Sequence, residues 1–386
     1  MNVSFGTRNR AESRRNNAFY VLVLVAVAVI TLSAFLPITL AGALGLSPQY
    51  VGAPTLVIGQ SYSANMPDPD VVYDASTSTY WAYSTSTGGP YLPVFSSSDL
   101  RTWVVRSEGG RDALPLRPGW ALGSADGQWA PGVIKLGSRW LLFSSWPRST
   151  DQRCIAVASS SSPAGPFIDL SSSDFTRGPV VCDSTPGGSI DPEPFLAPDG
   201  SLYLTWKSEA GIGRPTQIWS QRMSSDGLSI APGSTPALLL QPALAWERGV
   251  VENPSLAVID GTYWLLYSAA AWDSANYRMG AARCSGPLGP CNRVGTDPLF
   301  GNTSSELGPG GGSFFTDVAG RTRIAHHVWN SPHTSYPSDP NCDRAGLCAS
   351  QGQRYLRIDG VLSSSGTLTS NAIGSLDTVV SAGGQI

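Results

Sequence analysis

Apolar and polar positions alternate in short bursts along most of this chain, each bounded by glycine, proline, aspartate or serine. Bursts this short read as strands rather than helices. Several resemble one another: TYWAYST (79–85), SRWLLFSS (138–145), GSLYLTWK (200–207), GTYWLLYS (261–268) and, more weakly, GRTRIAHHVW (320–329). With Trp81, Trp140, Tyr203, Trp264 and Arg323 aligned, the steps between them are 59, 63, 61 and 59 residues. Each is preceded by another short strand and a turn, as in VENPSLAVIDG and IDPEPFLAPDG, with hairpin chemistry at the turn. Serine-rich tracts and a further apolar strand follow, as in VFSSSDLRTW and IAVASSSSPAGPF. Four strands per unit, repeated five times, predict an all-β chain folded as a five-bladed β-propeller. The segment QRYLRIDGVLS, ending at Ser363, reads as one more strand that closes the ring.

The N-terminus breaks this pattern. Arg8, Arg10, Arg14 and Arg15 precede an apolar run from Ala18 to Leu46, and no charge occurs between Arg15 and Asp68. This predicts a transmembrane or signal helix, with the basic end inside the cell and the remainder outside. The small residues of LAGAL (40–44) leave cleavage open beside an uncleaved anchor. The expected organisation is a basic N-terminus and membrane or signal segment over 1–46, a lead-in over 47–66, the propeller over 67–370, and a polar tail over 371–386. The expected location is the cell membrane with the propeller outside, or the medium.

The formal net charge of −3 and the lack of a basic run beyond the N-terminus exclude a nucleic-acid footprint. Six cysteines in an exported chain suggest disulfides. Cys284/Cys291 and Cys342/Cys348 are close pairs, which leaves Cys154/Cys182 as the third, one pairing among fifteen. The absence of C-x-x-C argues against zinc.

Acids recur at the start of the repeats. Asp68 lies 13 residues before Trp81, Asp191 12 before Tyr203, and Glu252 12 before Trp264. Counted this way they are equivalent positions in blades one, three and four, whose first strands line the axis. Three carboxyls should then meet in one depression, with no basic residue among them, and at least one should hold a proton near neutrality. That suits glycosidic bond cleavage, where one carboxyl protonates the leaving oxygen and another activates water. Glu252 is expected as general acid, Asp68 as general base and Asp191 as the group that tunes the acid's pKa. Carboxylates also bind Ca²⁺, so a cation site is the competing use of the trio.

These motifs resemble glycoside hydrolase family 43, the arabinofuranosidase, xylosidase and arabinanase group, over roughly Pro54 to Ser363. MPDPDVVYD is similar to its first acidic motif, WAPGVIKLGSRWLLFSS to its second blade, SIDPEPF to its third region and WERGVVENPSL to its fourth. The resemblance implies an inverting hydrolase of arabinofuranosyl or xylosyl linkages acting on an oligo- or polysaccharide. A carbohydrate-binding propeller without turnover, or an arabinan-remodelling transglycosidase, are the alternatives. Family members often carry His in blade five where this chain has Gly311, within GPGGGSF. An axial ion, structural Ca²⁺ in some relatives, then depends on His326 or His327; no cofactor is required. Asn253 stands where Gly is common.

Trp129 is expected to line the pocket and stack on a sugar, and Glu193, two residues past Asp191, to share its face. Asp126 reads as a turn residue and Glu247 as a solvated loop acid. Alternation sends His326 and His327 to opposite sides, so at most one faces the axis. No nucleophile elbow or dinucleotide fingerprint occurs.

Overall fold

The computed structural model describes residues 55–57 and 65–370, apart from 88–89, 107–111, 124–126, 185–186, 212, 337–351 and 365–366. The expected membrane or signal segment, Asp126, the Cys342/Cys348 pair and the polar tail lie outside the described residues. Among the described residues no helix is long and apolar enough to cross a membrane.

The described strands form five antiparallel blades. Blade one holds β1 (Thr55–Val57), β2 (Asp70–Asp74), β3 (Thr79–Tyr83), β4 (Val94–Ser97) and β5 (Thr102–Val105), with β1 added in parallel outside β5. Blade two holds β6 (Trp129–Leu136), β7 (Arg139–Ser149), β8 (Gln152–Ser160) and β9 (Ile168–Asp169). Blade three runs β10 (Gly187–Leu196), β11 (Leu202–Ser208), β12 (Gln217–Arg222) and β13 (Ala237–Leu240). Blade four runs β14 (Val251–Ile259), β15 (Thr262–Ala269), β16 (Arg278–Cys284) and β17 (Cys291–Arg293). Blade five runs β18 (Glu306–Thr316), β19 (Thr322–Asn330), β20 (Arg354–Ser364) and β21 (Thr367–Ser370). The first strands β2, β6, β10, β14 and β18 neighbour one another in a closed ring around the axis.

The QRYLRIDGVLS segment forms β20, the third strand of blade five, paired with β19. Blades five and one also meet through hydrogen bonds: the Met66 N–H donates to the Arg354 carbonyl (2.8 Å), and Ser313 Oγ to the Pro69 carbonyl (3.0 Å).

Apolar clusters fill the five seams between blades. Tyr80 and Ala82 of blade one pack with Phe315 and Ala325 of blade five, and Leu265 and Tyr267 of blade four with Ile218 of blade three. Both faces of each blade are therefore buried, which is why β7 and β15 read as nearly continuous apolar runs rather than strict alternation. Trp103, Trp146, Trp264 and Trp329 are fully buried; truncating such a side chain to alanine costs about 3–5 kcal/mol. Disulfides join Cys154 to Cys182 and Cys284 to Cys291, the latter directly across the β16–β17 ladder.

Candidate active site

Each first strand carries a distortion at the same place. The ladder slips at Ala130–Pro131 in blade two, Asp191–Pro192 in blade three, Asn253–Pro254 in blade four and Gly311–Gly312 in blade five. Asp68–Pro69 stands just ahead of β2 in blade one. The leading residue of each pair has positive φ: Asp68 49°, Ala130 44°, Asp191 54°, Asn253 45° and Gly311 60°. Proline supplies no N–H to a ladder, so it fits a bulge. The left-handed conformation is costly for the non-glycine residues and is held by what the turned backbone gains.

The gain is a ring of hydrogen bonds between neighbouring blades. The Ala130 N–H donates to Thr85 Oγ1 (2.8 Å), Asp191 to Ser145 Oγ (3.1 Å), Gly311 to Ser268 Oγ (2.9 Å) and Asp68 to His327 Nδ1 (3.1 Å). The Asn253 N–H donates to Asp191 Oδ2 (3.1 Å). The side chain facing the bulge from the second strand is thus an acceptor in four blades. In blade three that place belongs to Lys207, opposite Ile190. An ammonium cannot accept, so the Asn253 N–H turns to Asp191 instead.

This register corrects the alignment of the acids. Asp68 and Asp191 are equivalent, but the blade-four residue at that place is Asn253, and Glu252 lies one position earlier. The count to the aromatic marker crosses the hairpin turn. Val72 pairs with Trp81, Phe195 with Tyr203 and Ala257 with Trp264, so the turn loses one residue from blade one to three and another from three to four. Equal counts therefore did not mean equal places.

Asp68 and Asp191 line an axial depression of about 260 Å³, with Asp70, Glu193 and Asn253 among its other walls. Glu252 flanks it, buried beside its neighbour Asn253. The trio does meet, yet not without cations. Lys207 Nζ, with its side chain 5% exposed, lies 2.8 Å from Glu252 Oε2 and 3.1 Å from Glu209. Arg354 Nη1 lies 3.2 Å from Asp68 Oδ1. Thr85 donates to the other Asp68 oxygen (2.7 Å). Tyr277 donates to Glu252 Oε1 (2.6 Å), with Asn253 Oδ1 a second acceptor at 3.0 Å.

The protonation pattern follows. Burial, then the charge on Glu252, pushes Asp191 well above the ordinary carboxyl range, although Lys207 opposes this. Burial works against the Lys207 charge, but Glu252 and Glu209 outweigh it and hold the ammonium above its usual range. Burial, then the Arg354 charge, holds His327 well below the ordinary imidazole range, so its Nδ1 accepts as a neutral ring.

Glu193 and Asp70 both line the depression with Asp191. Burial lifts Asp70 to about 7, and burial with the Asp70 charge lifts Glu193 well above the carboxyl range. Trp129 is 37% exposed and stands at the rim rather than in the walls, with the Arg153 guanidinium 3.4 Å from its ring. Glu247 is not solvated: it is fully buried, paired with Arg293 Nε (2.6 Å), and accepts from Tyr267 (2.8 Å).

Gly311 leaves room for the axial ring. A Cβ there would stand 2.6 Å from His327 Nδ1 and 2.7 Å from Asp68 Oδ1. Of the two histidines, His327 meets the axial ring, while His326 Nε2 pairs with Asp359 on β20 (2.6 Å). Among the described residues no group of three His, Cys, Asp or Glu side chains could hold a metal ion. Asp68 accepts from Arg354, and His327 Nδ1 accepts from the Asp68 N–H.

Lys207 and Arg354 were missed from the sequence. Lys207 lies four residues past Tyr203, and the same offset gives Thr85, Ser268 and His327 in blades one, four and five, so a cation among acceptors was visible there. Arg354 comes from a third strand, where no repeat signature guides the eye.

The chain is similar to known proteins in sequence and in fold. The chain is 25% identical over 267 residues to a β-D-galactofuranosidase of Aspergillus niger, covering 64% of this chain and 70% of the relative. An endo-1,4-β-xylanase structure from Bacteroides thetaiotaomicron superposes with a TM-score of 0.62 at 26% identity, over 82% of this chain and 98% of that one. A thermostable family-43 glycoside hydrolase superposes with a TM-score of 0.64 at 24% identity, over 84% and 96% of the two chains. Residues 62–344 match the family described as glycosyl hydrolases family 43, and the chain belongs to that family.

Proposed function

We propose that this family-43 inverting O-glycosyl hydrolase cleaves arabinofuranosyl or xylosyl linkages, with Asp68 as base, Glu252 as acid and Asp191 as the tuning carboxyl. The observation that carries the assignment is the unequal partnering of the acids. Asp68 accepts from Arg354 and Thr85, one on each oxygen, which fixes its carboxyl in place for the role of base. Burial and the neighbouring Glu252 charge raise the proton affinity of Asp191. In this reading Glu252 delivers the proton, and Asp191 beside it tunes that delivery.

Glu252 accepts from both Lys207 and Tyr277 in the resting site. Delivery therefore requires one contact to yield. Tyr277 has a single proton and two acceptors, so turning its O–H to Asn253 frees Glu252 Oε1 to carry a proton. As the leaving oxygen departs, that proton transfers to it, while Asp68 takes one from the attacking water. The reaction needs no cofactor in this scheme. Trp129, at the rim, offers an aromatic face to a sugar, and Glu193 lines the depression with Asp191.

The substrate choice rests on the resemblance of the motifs to arabinofuranosidases and xylosidases. The galactofuranosidase relative adds another furanoside as a competitor. A panel of aryl arabinofuranosides, xylosides and galactofuranosides decides among them, with the anomeric configuration of the first-formed product read by NMR. Turnover of an arabinofuranoside or xyloside with inversion is expected; binding without turnover would turn the reading to a lectin. We also propose an extracellular position for the propeller. The two disulfides support it, because such bonds persist in oxidising compartments. Protease shaving of intact cells tests it.

A further inference from the structure

We infer that the loop spanning 270–277 builds a separate sugar subsite at the rim, with Trp272 as the stacking platform for a substrate residue beside the one cleaved. The inference rests on the hydrolase reading above and extends it to the length of substrate the site grips.

The loop touches both sides of the acid trio. At one end Tyr277 donates to Glu252. Near the other, Trp272 lies against Arg354, whose guanidinium is 4.7 Å from the indole centroid and 3.2 Å from Asp68. Trp272 is thus one side chain removed from Asp68, yet it is not a wall of the axial depression. It is 41% exposed, which is unusual for a tryptophan so well anchored.

The anchoring is specific. The buried Trp329 stacks near-parallel to it at 6.1 Å and 21°, and donates its indole N–H to the Trp272 carbonyl (2.9 Å). Tyr336 lies 6.0 Å away, tilted, and accepts from Arg354 Nε (2.8 Å). The ring is therefore fixed in place by two aromatics and a cation while part of its surface stays open to solvent. A preorganised aromatic face pays little rotamer entropy on binding, and the C–H face of a sugar ring gains dispersion contacts with it. The Arg354 guanidinium lies over the same ring and adds polarity beside the platform. Trp129 repeats the arrangement two blades away, also exposed and backed by an arginine. The axial depression lies between blades that carry these two open rings.

The test uses the full propeller and a series of linear arabino- and xylo-oligosaccharides of increasing length, beside the aryl monoglycosides. For Trp272→Ala, the ratio of oligosaccharide to aryl-glycoside kcat/KM should fall roughly tenfold, mainly through KM, and Trp272→Phe should restore most of it. Equal loss on both substrate types, with a shifted pH profile, would mean that Trp272 only holds Arg354 in place, and would overturn the subsite. An unchanged ratio would overturn it as well. Oligosaccharide binding to wild type and Trp272→Ala, followed by calorimetry, separates this from failure of the hydrolase reading. If no glycoside turns over, weaker binding by the variant still supports the platform, and equal binding sinks it.

Discussion

In four blades the side chain facing the bulge accepts a hydrogen bond from the next blade; in blade three it is a buried ammonium. The four acceptors, Thr85, Ser145, Ser268 and His327, stitch the ring. Lys207 gives up that stitch, and its charge goes to Glu252. The Asn253 N–H that would have met an acceptor there is taken by Asp191. One substitution in a repeated framework thus couples two carboxyls that the symmetry alone would have kept in separate blades. A functional site can be located as the place where a repeat breaks its own rule.

The sharpest way to break the comparison is to remove the acids that the exception serves. Glu252→Gln keeps the shape but cannot deliver a proton, and Asp68→Asn cannot take one. Each should lower kcat by about 10²–10⁴-fold with the melting temperature little changed. The two should differ in one respect. An aryl glycoside with an acidic leaving group needs little protonation, so it should recover much of the Glu252→Gln loss and none of the Asp68→Asn loss. Equal response to the leaving group in both variants would overturn the division of labour.

Lys207→Met tests the exception itself. Lys207 lowers the proton affinity of Asp191, against burial and Glu252, which raise it. Without the cation the carboxyl pair should keep its proton to higher pH. The alkaline limb of kcat/KM, where a required proton is lost, should therefore move upward. An alkaline limb that stays in place, or moves down, would mean that Lys207 is structural only. The uncompensated burial of Glu252 should also cost stability, about 3–5 kcal/mol if nothing relaxes. Lys207→Ser would restore the acceptor of the other blades, and comparison of the two separates the lost stitch from the lost charge.

The blades themselves were legible because their second strands carry aromatic side chains at a regular interval, and seam packing demands them. Asp68 and Asp191 were legible because the positive-φ place tolerates aspartate and is followed by proline. Glu252 was reached by a count along the chain rather than by ladder register. It crosses hairpins of unequal length, and the true equivalent, Asn253, went unnoticed. Arg354 reaches Asp68 across 286 positions of sequence, and no local pattern encodes such a contact. Glu247 failed for the same reason: its partner Arg293 comes from β17, 46 residues on, and turns a loop acid into a buried ion pair.

Gly311→Ala compares the ring with the outer turns. Gly311 and Gly261 both have positive φ, 60° and 75°. A Cβ on Gly261 meets nothing within 4 Å, whereas one on Gly311 runs into His327 and Asp68. Gly261→Ala should cost only the backbone term, about 1 kcal/mol in urea melts. Gly311→Ala should cost about 1–3 kcal/mol more, because His327 is buried and cannot retreat. It should also lower kcat by displacing Asp68. Equal losses would show that the axial ring is looser than its contacts imply.

The smallest expected effect comes from the stitches. Ser145→Ala leaves the Asp191 N–H without its acceptor, and Ser268→Ala does the same to Gly311. Each buried orphan should cost about 1–3 kcal/mol, and the two stability losses should be similar. Activity should distinguish them. Ser145 holds the backbone of Asp191, so its loss lets a tuning carboxyl drift and should lower kcat several-fold. Ser268 holds a residue with no side chain, and although it packs close to Asp68, its loss should reach the chemistry only through that neighbour. A larger activity loss for Ser268→Ala would place the sensitive carboxyl at Asp68 rather than Asp191, and would reverse the weight given to blade three.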